Sequence, residues 1–113
     1  MITAKEFFGG GDFLNASAGT GTHYLKTGLG RVQSWGGGNG LSLRLPDARG
    51  LTLGGPVFLI FNVGVTDLLT IRDVDGGFLR GVGDTDNACS VYLFDNSTAA
   101  GDWETDLHIY SNA

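Results

Sequence analysis

The residues of this chain that can do chemistry are few: His23 and His108, Cys89, some aspartate pairs, scattered serines and the aromatic rings. Two histidines and a carboxylate can hold a metal ion. Their spacing does not bring them together, and His108 falls on the polar side of an alternating stretch, so no metal is expected. Cys89 has no second cysteine to pair with. It sits in the apolar run Ala88-Cys89-Ser90-Val91-Tyr92, which predicts a small buried thiol. A reactive thiol needs nearby cations or a helix N-terminus. Neither a Cys-His pair nor a His-Glu-x-x-His stretch occurs, and Gly19-Thr20-Gly21-Thr22 lacks the strand, helix and lysine of a phosphate loop. Ser34 and Ser90 stand outside a Gly-x-Ser-x-Gly frame. No catalytic residue and no cofactor is expected.

The acidic pairs offer oxygen ligands. Asp73-Val74-Asp75-Gly76 and Asp84-Thr85-Asp86-Asn87 look like pieces of calcium loops, but the closing glutamate is missing. Aspartate and asparagine are also the ordinary residues of tight turns, and turns are the reading taken. Paired carboxylates of a glycosidase would meet in space rather than in sequence. No long loops frame such a pair. Asn15-Ala16-Ser17 and Asn96-Ser97-Thr98 fit the N-glycosylation acceptor pattern. Met1 to Glu6 lacks a basic-then-apolar secretory pattern, so neither is expected to be modified. Tyr24, Trp35, Trp103 and Tyr110 could stack on a sugar; Trp103 reads as core, and Trp35, between glycine runs, as the better partner contact.

The elements that must carry these groups are strands. The chain has 113 residues, one domain's worth, with 42% hydrophobic and 17% charged residues and 20 glycines. Charge is below the usual ~25% and glycine far above the usual ~7%. Low charge with ordinary hydrophobicity argues against disorder. Leu41-Ser42-Leu43-Arg44-Leu45 alternates strictly; Val57 to Val63 is apolar on both faces and predicts a central strand covered on both sides. Leu68–Arg72 and Phe78–Val82 flank Asp73-Val74-Asp75-Gly76-Gly77, a hairpin turn signature. Cys89 to Phe94 reads as a buried strand, and in the last strand Trp103, Thr105, Leu107 and Ile109 share one face. Six or seven short strands predict an all-β fold over residues 41–113, a jelly-roll-like β-sandwich or else a small barrel. No internal repeat is visible.

Residues 1–40 differ in texture. Residues 9–40 hold eleven of the glycines, yet Phe7, Phe8, Phe13 and Trp35 are spread through this region. Glycine loses much freedom on ordering, so such a stretch rarely holds itself in place. It reads as a glycine-rich N-terminal arm ordered against the body or a neighbouring subunit; a hairpin region of the same domain is the alternative. On the arm reading Phe7, Phe8, Phe13 and Trp35 are the candidate partner contacts.

Charge narrows the partners. The net charge is −5 and the pI near 4.6, which opposes general nucleic-acid binding. Residues 1–50 carry +2 and residues 51–113 carry −7, a split that would let copies meet head to tail. The longest apolar run, Pro56 to Phe61, is too short to cross a bilayer as a helix. No membrane partner is expected, and synthesis in a cytosol is.

The segment Leu45-Pro46-Asp47-Ala48, then Leu51-Thr52-Leu53-Gly54-Gly55-Pro56-Val57-Phe58, resembles a recurrent opening of small β-domains in tailed-phage virion proteins. The similarity runs on through Phe61-Asn62-Val63-Gly64 and Leu69-Thr70-Ile71-Arg72-Asp73 to Val91–Trp103, covering residues 41–103. The resemblance implies a β-sandwich, often a homotrimer, assembled in the host cytoplasm and attached to a virion. Its partners would be the major capsid protein or other virion subunits. The function expected is a capsid decoration (cement) protein, with a tail or capsid fibre domain and a non-catalytic carbohydrate-binding module as alternatives.

Overall fold

Alternation of apolar and polar side chains exposes one face of a strand and buries the other. At Leu41-Ser42-Leu43-Arg44 both leucines are fully buried while Ser42 and Arg44 face outward. The computed structural model describes residues 13–17, 21–25, 32–36, 41–54, 56–62, 69–83 and 88–109. Nine strands lie in them: β1 (Phe13–Ser17), β2 (Gly21–Tyr24), β3 (Val32–Gly36), β4 (Leu41–Arg44), β5 (Pro56–Asn62), β6 (Leu69–Arg72), β7 (Phe78–Val82), β8 (Ala88–Asp95) and β9 (Asp102–His108). They form a five-stranded sheet, in the order β1-β3-β5-β8-β9, and a four-stranded sheet, β2-β4-β6-β7.

The first six strands alternate between the sheets. β1, β3 and β5 are parallel neighbours in the larger sheet, and β2, β4 and β6 in the smaller. The chain therefore winds through both sheets three times, each pass laid beside the last. Antiparallel pairing then finishes the fold: β7 folds back on β6, and β8 and β9 extend the larger sheet from β5. An all-β architecture of two packed sheets is as expected. The jelly-roll-like order is not observed, because jelly rolls are made of antiparallel Greek keys. Here four of the seven pairings among the described residues are parallel. Parallel neighbours need a crossover between them, and each crossover here is a strand of the opposite sheet.

The stretches of residues 1–40 that are described belong to this winding. β1, β2 and β3 pair within the sheets, and Leu25 and Trp35 join the same core as Leu43, Ile60 and Val91. Among the described residues β1, β2 and β3 pair in parallel and form no hairpin with one another. The remaining residues of that region, Phe7 and Phe8 among them, lie outside the described residues, as does the side chain of Phe13.

The core fills the space between the sheets with Leu41, Leu43, Leu45, Phe58, Ile60, Leu69, Ile71, Val82, Cys89, Val91, Leu93 and Trp103. Each fully buried leucine, isoleucine or phenylalanine contributes roughly 1.5–3 kcal/mol by leaving water. β5 is central, between β3 and β8, but, against the expectation from the run Val57 to Val63, it is not covered on both faces. Phe58 and Ile60 are buried, whereas Leu59 and Phe61, which alternate with them, stay half-buried. Asn62, also buried, crosses between the sheets and donates its Nδ2 hydrogen to the Val82 carbonyl at 2.9 Å. Trp103 is buried as expected, but Ile109 lies past the end of β9 and is exposed.

Candidate functional site

The outer face of the smaller sheet collects side chains from four separate strands into one row. The register sets Tyr24 beside Arg44, Arg44 beside Arg72, and Arg72 beside Phe78. Alternation in β2, β4 and β6 puts the first three outward. Phe78 needs a further device, since Arg80 and Val82 of the same strand face the interior. The pairing of β6 with β7 slips by one residue between Ile71 and Arg72, so that Leu79 is extra. Such a bulge reverses the sense of alternation. Phe78 thereby turns outward, while Arg80 turns in and donates its Nε hydrogen to Thr105 Oγ1 at 2.9 Å, tying β7 to β9.

Both rings in the row are open to solvent, Tyr24 at 58% and Phe78 at 60% of full exposure. The Arg44 guanidinium lies over the Tyr24 ring at 5.5 Å and that of Arg72 over Phe78 at 5.7 Å, both within cation–π range. The two arginines converge on the β6–β7 turn. Arg72 Nη1 donates to the Gly76 carbonyl at 3.0 Å, and a Cβ on Gly76 would come within 2.9 Å of Arg44 Nη2. Gly76 has φ +92°, so glycine serves there both for the turn and for the room. The ion pairs found among the described residues, Asp47 with Arg49 and Asp106 with His108, involve neither Arg44 nor Arg72. Nε of Arg44 is buried and has no acceptor among the described residues. Two residues back along each strand, Thr22, Ser42 and Thr70 form a parallel row of hydroxyls on the same face.

The turn below this row explains its aspartates. Asp73 Oδ1 accepts hydrogen bonds from the amides of Asp75 and Gly77, both at 2.9 Å. Its carboxylate is thus spent on the turn, as the turn reading of Asp73-Val74-Asp75-Gly76 expected. No group of three or more potential metal ligands is present among the described residues. The second acidic stretch, 84–87, lies outside them.

A second cluster occupies the opposite outer face. Ser90 Oγ lies 2.7 Å from His108 Nε2, and Asp106 Oδ2 lies 3.8 Å from that same nitrogen. A nucleophile–base–acid relay requires the carboxylate on the other ring nitrogen, holding the tautomer. Here serine and aspartate meet a single nitrogen. Ser90 also lies on β8, between β5 and β9, where the backbone amides serve the sheet ladder. The pair therefore lacks both the orientation of the base and spare donors for an oxyanion.

Cys89 is fully buried, and loss of hydration pushes its thiol up to about 11. It is a packing residue. Asn96 is tied down as well, donating Nδ2 to the Leu51 carbonyl at 2.8 Å. Trp35, expected to reach a partner, is only 7% exposed. Its Nε1 donates to Gln33 Oε1 at 2.9 Å and its ring packs against His23, the centroids 5.4 Å apart. Burial of the ring between the sheets removes it from any partner surface in this state. Of the aromatic residues expected to stack on sugar, Tyr24 is exposed, Trp35 and Trp103 are core, and Tyr110 lies outside the described residues.

Arg44, Arg72 and Phe78 were not legible as one site. The β6–β7 hairpin sets Phe78 beside Arg72, but only the parallel register of β4 and β6, which no hairpin turn announces, makes Arg44 their neighbour. No protein-family model, no curated protein and no solved structure matches the chain.

Proposed function

We propose that this chain is a non-catalytic structural protein of a tailed-phage virion, acting as a capsid decoration protein. One observation carries the reading. The segment 41–103 that resembles virion β-domains supplies most of the interior of the sandwich, from Leu41 and Leu43 through Phe58, Ile60, Leu69, Ile71 and Val91 to Trp103. The quoted motifs are core and turn positions, so what they share with those domains is a folded body. Such a body suits a shell-bound subunit, whose strength comes from many repeated contacts. A homotrimeric state and a glycine-rich region of residues 1–40 reaching the major capsid protein belong to this proposal. So do the contacts of Phe7, Phe8 and Phe13.

The test is a copy count. Quantitative mass spectrometry of purified particles should find this chain in hundreds of copies, and the double variant Phe7→Ala, Phe8→Ala should bind particles more weakly. A few copies per particle would replace decoration by a fibre role. Absence from particles would overturn the virion reading altogether.

A further inference from the structure

We infer that the outer face of the smaller sheet is a binding site for a carboxylated polysaccharide. In it the Arg44–Arg72 pair takes the carboxylates, and the rings of Tyr24 and Phe78 carry the apolar faces of sugar rings. The argument begins with a cost. Like charges directly opposite one another on neighbouring strands destabilise a sheet. Arg44 and Arg72 are such a pair, and no carboxylate forms an ion pair with either among the described residues. An anion placed over the two guanidiniums removes that repulsion and gains charge-assisted, bidentate hydrogen bonds.

The surroundings of the pair select the kind of anion. An exposed ring stands at each end of the row, and a line of hydroxyls from Thr22, Ser42 and Thr70 runs beside it. Tyr24 and Phe78 are three strand spacings apart, about 14 Å. That is the span of a short extended oligosaccharide lying across the strands. Flat rings accept the C–H face of a sugar, hydroxyls match its hydroxyl groups, and the arginines select the sugar that bears a carboxylate. An acidic peptide would use the arginines but leave the rings and the hydroxyl row without a role. Single-stranded nucleic acid would use arginines and rings together. It would also meet a chain of net charge −5.

The experiment is calorimetric titration of the full chain with polygalacturonate oligomers, alongside their methyl esters, a polyglutamate peptide and an oligothymidylate. Polygalacturonate should bind, with affinity falling as salt rises, and the uncharged ester should not. Arg72→Gln and Arg44→Gln should each weaken binding about tenfold or more. Arg72→Lys, which keeps the charge but loses the planar fork, should fall between Arg72→Gln and the parent. Phe78→Ala removes a ring that is already exposed and should weaken polygalacturonate binding in a chain whose melting is unchanged. Absence of polygalacturonate binding, equal binding of the ester, or tighter binding of polyglutamate or oligothymidylate would each overturn the proposal. No particle enters the assay, so its failure leaves the virion reading intact, and failure of the copy count leaves this site intact.

Discussion

Gly101 stands so close to Ala48 that a Cβ added to it would lie 2.5 Å from the Ala48 Cβ. The contact joins the turn before β9 to the short 3-10 segment Ala48–Gly50, where Ala48 N also donates to the Ala99 carbonyl at 2.9 Å. Ala48 is fully buried and cannot move aside without opening the core. Gly101 has φ +69° as well, a conformation that costs an L-residue roughly 1–2 kcal/mol. Gly101→Ala should therefore destabilise the fold by about 2–4 kcal/mol, overlap and backbone strain together. Urea unfolding monitored by tryptophan fluorescence measures it, and an unchanged midpoint would refute the close packing of these two loops.

Asn62 joins the two sheets by donating to the Val82 carbonyl from a buried position. Asn62→Asp replaces that donor by a carboxylate, which burial and the facing carbonyl hold protonated in the folded state. The folded state then binds the proton more tightly than the unfolded one, so stability falls as pH rises through the unfolded value near 4. The variant should be clearly less stable than the parent at pH 7 and recover much of the difference at pH 3.5. Parallel urea titrations at the two pH values check this.

Asp47 caps the 3-10 segment and is held at about 2 mainly by the hydrogen bond from the Arg49 side chain, with the Arg49 amide adding to it. The lowered value means that its contribution is complete above the ordinary carboxylate range and is lost as pH falls toward about 2. Carboxyl titration by NMR should place Asp47 well below the ordinary carboxylate range, and Arg49→Gln should move it back up. Both groups are largely exposed, so added salt should weaken the effect.

Burial of Cys89 makes its thiol a reporter of unfolding. At pH 8 a disulfide reagent should modify the native protein at the rate of global opening and react at once in denaturant. Fast modification of the native protein would contradict its place in the core. Cys89→Ala should keep the fold at a cost of about 1 kcal/mol.

Local pattern and long-range register divided the work unevenly. The hairpin of β6 and β7 was readable because its turn chemistry, Asp73 through Gly77, lies between the strands it joins. The inward face of β9 was readable because Trp103, Thr105 and Leu107 alternate with charged residues. Trp35 misled because its glycine neighbours argue for a loose segment, while its burial depends on β5 and His23, both remote from those glycines.

The sequence alone determined that the chain is all-β, where several of its strands run, and which side of each short strand is apolar. These follow from alternation and turn residues, which act over a few positions. Tertiary structure decided that the first six strands wind through two sheets in parallel. The register partners are unevenly spaced, Phe13 with Val32 but Val32 with Leu59, so no sequence period marks the winding. It also decided that Arg44 and Arg72 stand side by side between two exposed rings. A parallel neighbour is chosen by the packing of an entire intervening pass of chain, and no short stretch of residues encodes that choice.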